Sequence, residues 1–170
     1  MFTRAWRAAT LNRKAFTEAF FDNDAAADGA IVVATVGAAT YLGTIARLGR
    51  FGDFAVTDLI QLVITSVASW LILAFATWFT ATRLFGSSGR PQTMIAMHGL
   101  SALPLLLEIG GGWIAGLGLI WYLVVLVIAT QEATDLDVRK AGVSVLIGFA
   151  VAALLRALVS VPFVVFSGLF

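Results

Sequence analysis

From Ala30 onward the chain is a succession of five apolar segments joined by links too short to hold a domain. Ala30 to Leu48 carries no ionisable group before Arg47, and Leu59 to Thr82 carries none between Asp58 and Arg83. Gln92 to Gly110 is apolar apart from His98 and Glu108, Gly112 to Thr130 is free of charge, and Ala141 to Phe170 is interrupted by Arg156. A helix needs about 20 apolar residues to cross a hydrocarbon core, so each segment can span, the second and fifth with length to spare for tilt. A buried helix of a soluble protein explains any one of them. Five in a row leave such a protein no polar surface, and only 12% of the 170 residues are charged, against about 25% in soluble domains. The expected fold is all-α, a polytopic membrane protein with a five-transmembrane-helix bundle over 30–170. Its spans are expected near 30–48, 59–82, 92–110, 112–130 and 141–168, behind a tail of residues 1–29.

Composition then removes whole classes of function. The chain has no cysteine and one histidine, which excludes thiolate chemistry, disulfides and multi-histidine metal centres. A net charge of +1 gives no global field for nucleic acid. No cofactor is expected. Nine Arg to two Lys, with abundant Ala, Gly, Val and Leu, fits a GC-rich bacterial genome.

The tail has no long apolar run, so it is not a secretory signal. On a helical wheel Phe2, Trp6, Ala9, Phe16 and Phe20 share a stripe opposite Arg4, Arg7, Lys14 and Glu18, the pattern of a helix in the membrane interface. Arg13 interrupts the stripe, and a break is expected near 10–12. Trp6, Arg7, Lys14 and Phe16 are the expected lipid-interface residues, each basic side chain near anionic headgroups contributing about 1 kcal/mol. The tail, the second link and the fourth link hold Arg4, Arg7, Arg13, Lys14, Arg83, Arg90, Arg139 and Lys140, whereas the first and third hold Arg47 and Arg50. By the positive-inside rule the N-terminus is expected in the cytoplasm and Phe170 on the outer side of a bacterial inner membrane.

Four stretches together resemble the Yip1 domain family of small five-helix membrane proteins. Asn12-Arg-Lys-Ala-Phe-Thr-Glu-Ala-Phe20 is similar to the family's segment ahead of the first span, where a basic position precedes a Phe. Arg83-Leu-Phe-Gly-Ser-Ser-Gly-Arg-Pro-Gln-Thr93 resembles the link between its second and third helices, and Ala102-Leu-Pro-Leu-Leu106 its proline-containing third helix. Ile120 to Ile128, through Glu132 to Lys140-Ala141, resembles its fourth helix and outgoing loop, with Glu132 at an acidic family position. The resemblance implies a fold and a class rather than a reaction. Eukaryotic relatives act in vesicle traffic between the endoplasmic reticulum and the Golgi, bind Rab-type GTPases and shape membranes. The Rab partner does not carry over to a bacterial chain.

Ionisable groups inside a membrane are functional candidates by default, and here they are His98, Glu108 and Arg156. Met94, His98, Ser101, Leu105 and Glu108 are spaced 4, 3, 4 and 3, which on an α-helix is one face. That face suits hydrogen bonding to a neighbouring helix or, less well for a lone histidine, a ligand on His98. A Ser-His-Glu triad is disfavoured because Glu108 lies about two turns beyond Ser101 and no nucleophile elbow is present. Glu108 and Arg156 lie 17 residues past Pro91 and Arg139, at equal depth, and are expected to pair. Pro104 should kink the third helix. Ser66, Ser69, Thr77 and Thr80 form a packing seam on the second helix; Gly112 and Gly116 form a G-x-x-x-G on the fourth, and Gly148 with Ala152 a looser version on the fifth. The expected function is a non-enzymatic scaffold or accessory subunit, in contact with the bilayer and with a membrane-protein partner or further copies of itself. The alternative is a small transporter, channel or lipophile-binding protein that uses the His98, Ser101 and Glu108 face.

Overall fold

In hydrocarbon a helix is the open-chain structure that satisfies its own backbone, and this chain is helical almost throughout. The computed structural model describes residues 1–22 and 24–167, with side chains for all of these but Asp53, Arg156 and 158–167. Its α-helices are α1 (Phe2–Ala9), α2 (Arg13–Phe20), α3 (Ala25–Leu48), α4 (Val56–Phe85), α5 (Pro91–Leu100), α6 (Gly112–Thr134) and α7 (Val138–Ser167). Two 3-10 segments, Phe51–Asp53 and Leu103–Gly110, complete the set. Five stretches are long and apolar enough to cross a membrane: α3, α4, α5 with the second 3-10 segment, α6, and α7. The protein is a multi-pass membrane protein.

Local chemistry sets the helix ends. α3 and α4 stop at Gly49 and Gly86, with φ of 65° and 67°, the left-handed cap that glycine adopts without a Cβ penalty. Asp137 caps α7, its Oδ1 accepting from the backbone N–H groups of Arg139 and Lys140 at 2.9 and 3.0 Å. Those bonds, that of Lys140 first, hold its carboxyl below the usual range.

The third span is not one α-helix. A proline ring clashes with the carbonyl four residues earlier, which for Pro104 is that of Leu100, the last residue of α5. Ser101 bends there, its hydroxyl donating to Met97 O at 2.7 Å, and the chain continues to Gly110 with 3-10 geometry. Three residues per turn replace 3.6, so the single face expected for His98, Ser101 and Glu108 does not exist. Instead Ala102, Leu105 and Glu108, three apart, line one side.

This span is also the most enclosed, with 56% of its apolar stretch buried against 17–28% in the other four. α5 packs on α3, α4 and α6, whereas the 3-10 half keeps α3 and α6 as its principal neighbours. α7 closes the bundle against α4 and α6. At the near end, where the α4–α5 and α6–α7 links lie, Trp78 Nε1 donates to Gly89 O at 2.7 Å and the Ser87 hydroxyl to Thr134 O at 3.1 Å. At the far end the Tyr41 hydroxyl bonds the backbone of Ala55, and the Arg47 guanidinium lies over Gly111.

Candidate functional site

Two polar features lie inside the bundle. The first is a closed knot between α5 and α6. His98 and Ser101 are fully buried. His98 Nε2 is 3.0 Å from the Thr130 hydroxyl, which sits 3.9 Å from Met94 Sδ. His98 Nδ1 has no partner among the described residues. Ser101 is bonded to its own helix, and the His98–Thr130 contact ties α5 to α6.

The second is a cavity of about 340 Å³. It is lined from α3, α4, the 3-10 segment, α6 and α7, and Trp70, Leu73, Tyr122 and Phe149 line its deeper part. Ser66 and Ser69 line it as well. It opens where α5 gives way to the 3-10 segment and the third span loses its extensive contact with α4. Glu108 belongs to this cavity rather than to the His98 knot. Ala152 and Ala153 of α7 line it too, but the side chain of Arg156, the expected partner of Glu108, lies outside the described residues.

The tail forms a helical hairpin against the bundle. Arg7 makes a two-pronged bond to Glu18 at 3.0 and 2.8 Å, and Arg4 reaches Asp22 at 2.7 Å and Asp28 at 3.5 Å. Ala5, Ala8, Ala15, Phe16 and Ala19 are buried in the same core as α5 and α6 residues. Phe16, expected at the lipid face, therefore points inward, because α2 packs on α5 and α6. Trp6 is 66% exposed, Arg7 is held by Glu18, and Lys14 is exposed. Trp121 Nε1 donates to the terminal carbonyl of α1, Ala9 O, at 2.9 Å. Arg13 then crosses 119 positions of sequence to meet Glu132 at 2.8 Å.

That ion pair joins the basic position ahead of Phe16 to the acidic position after the fourth span. Residues 10–161 match the Yip1 domain. The chain belongs to the Yip1 domain family. Neither the curated proteins nor the solved structures hold a match to it.

In this Yip1 domain the close helix contacts match those expected at Gly148, which meets Thr77 of the α4 seam, and differ elsewhere. A Cβ built on Gly112 or Gly116 meets nothing within 4 Å among the described residues, so the G-x-x-x-G of α6 faces away from them. The tight crossing is Gly29 with Gly99, where a Cβ on Gly99 would stand 2.5 Å from Gly29 Cα. Gly118 presses on Pro104 O and Leu107, and Gly148 on Thr77. The expected seam on α4 divides. Thr77 and Thr80 are buried, the latter bonded to Ala76 O at 2.8 Å, while Ser66 and Ser69 face the cavity.

Sequence reasoning missed Thr130, Trp70, Tyr122 and Trp121. Only Trp121 carried a signal. Tryptophan favours membrane interfaces, and this one lies near the middle of its span.

Proposed function

We propose that this Yip1 domain is a non-enzymatic membrane scaffold or accessory subunit that acts through helix–helix contacts with a membrane partner. The observation that carries the reading is the face of α6 bearing Gly112 and Gly116, against which none of the described residues packs. Small residues let helices approach closely in lipid, and here that capacity is left for another molecule. The partner is a different membrane protein, or a second copy of this chain. The N-terminus faces the cytoplasm of a bacterial inner membrane, with Arg83, Arg90, Arg139 and Lys140 on the same side, as the distribution of basic residues supports.

Crosslinking in native membranes followed by purification tests this. The wild type should carry a stoichiometric partner, and Gly116→Leu should lose it while melting at the wild-type temperature. Recovery of the chain alone from wild-type membranes would overturn the reading. A reporter inserted at Ser88 should be cytoplasmic and one fused after Phe170 periplasmic.

A further inference from the structure

We infer that the cavity among the five spans binds a small, neutral, membrane-soluble molecule with an apolar body and a carbonyl acceptor at one end. The site is separate from the α6 face and does not depend on a protein partner. Trp70 and Tyr122 are 5% and 6% exposed, and both line the cavity. The Tyr122 hydroxyl has no hydrogen-bond partner among the described residues and is not sealed off by them, as the Trp70 indole N–H is. A buried donor without an acceptor is costly, and tryptophan and tyrosine normally find one when buried. The Ser69 hydroxyl, next to Trp70 and one turn before Leu73 on α4, adds a second polar group.

Size and lining narrow the occupant. At about 340 Å³ the space lies at the low end of ligand pockets. It takes a ring-sized head, not a whole phospholipid. Filled with water it would need about eleven molecules at ~30 Å³ each, every one with two to four polar partners. The walls hold a few hydroxyls beside Glu108, but most of their residues are apolar, Val36, Leu62, Leu105 and Phe149 among them, too few partners for that many waters. A carboxylate or phosphate would lose its hydration against these mostly apolar walls, whose described residues include no Lys or Arg, so the acceptor is neutral. A carbonyl on an apolar ring, as in a benzoquinone carrying a short alkyl tail, meets all of these conditions.

Decylbenzoquinone is the test probe, titrated into the full-length protein in lipid nanodiscs while tryptophan fluorescence is followed, with decylbenzene as the probe lacking an acceptor. The wild type should show saturable quenching above the linear background of partition. Tyr122→Phe, which removes one donor and nothing else, should weaken it about fivefold to tenfold. Ser69→Leu, which grows a side chain into open space, should abolish it, and Ala153→Leu provides a second filling variant should that one fail to fold. Quenching that is linear in the wild type and equal in the filled variants would overturn the inference. So would a halving of the saturable quenching by decylbenzene at a concentration equal to that of the quinone, or an unchanged affinity in Tyr122→Phe.

Discussion

Gly99→Ala adds one methyl group at the point where two spans touch backbone to backbone. That methyl would lie 2.5, 2.8 and 2.9 Å from Gly29 Cα, C and O, against about 3.5–4.0 Å for a relaxed carbon contact. Neither side has a rotamer that can yield, so α3 and α5 must part by about 1 Å. A gap of 0.5–1 Å forfeits roughly a quarter to a half of each dispersion contact along the crossing, and overpacking of this kind costs about 1–3 kcal/mol. Alanine returns up to ~1 kcal/mol through its better helix propensity, leaving a net loss of about 1–2 kcal/mol. At roughly 2–4 °C per kcal/mol for a chain of this size, the melting temperature in detergent should fall by about 2–8 °C. Gly116→Ala is the matched control. Its Cβ meets nothing within 4 Å, so the purified protein should melt at or slightly above the wild type. If Gly99→Ala melts like the wild type while Gly116→Ala is the destabilised variant, the close crossing has been placed on the wrong helices.

The hairpin should respond to acid. Hydrogen bonds from Arg7 to Glu18 and from Arg4 to Asp22 hold both carboxyls below the usual range. Their stabilisation is therefore complete above the unfolded values of about 4 and is lost as pH falls through the folded ones. Amide hydrogen exchange over residues 2–20, corrected for intrinsic rate, should be slow and constant from pH 5 to 7 and should accelerate below about 4; no change there would refute the role of the ion pairs. In the His98 knot, His98→Leu and Thr130→Val should each lower stability, and the double mutant should lose less than the sum. Intramembrane hydrogen bonds couple by ~0.6 kcal/mol on average and by ~1.7 at most, so strict additivity in detergent melts would mean that the two side chains do not interact.

What could be read from the sequence is what depends on one segment at a time. Apolar run length located the spans, although the helices overrun those runs: α3 begins at Ala25 rather than Ala30, and α4 ends at Phe85 rather than Thr82. Terminal side chains such as Asp28 and Arg83 reach polar surroundings without ending the helix, so hydropathy stops before the helix does. Glycine spacing within one helix pointed to Gly112 and Gly116, whereas the contact that forms joins Gly29 and Gly99 on different helices. Pairings such as Arg13 with Glu132 exist only once the order of helices around the bundle is known. The face shared by His98 and Glu108 failed for a local reason, because a period of 3.6 was carried through a proline that had already been recognised as a break.

That proline has consequences beyond the break. Had α5 continued to Gly110, its last eight residues would rise about 12 Å; as a 3-10 segment they rise about 16 Å, so a short span gains about 4 Å of reach. The same change of period lines up Ala102, Leu105 and Glu108, which an α-helix would have spread over about 60° per step of three. It also takes the segment away from α4, which α5 touches extensively and the 3-10 half does not. The space between them is walled by Ser66, Ser69 and Trp70 of α4, by Tyr122 of α6 and by Phe149 of α7. Gly118 allows α6 to follow the displaced segment closely, against Pro104 O and Leu107, so the far half of the bundle is repacked on one side and open on the other. The cavity is therefore the direct consequence of Pro104 meeting the Leu100 carbonyl, and the Tyr122 hydroxyl, without a partner among the described residues, lines the space that the third span would otherwise have filled.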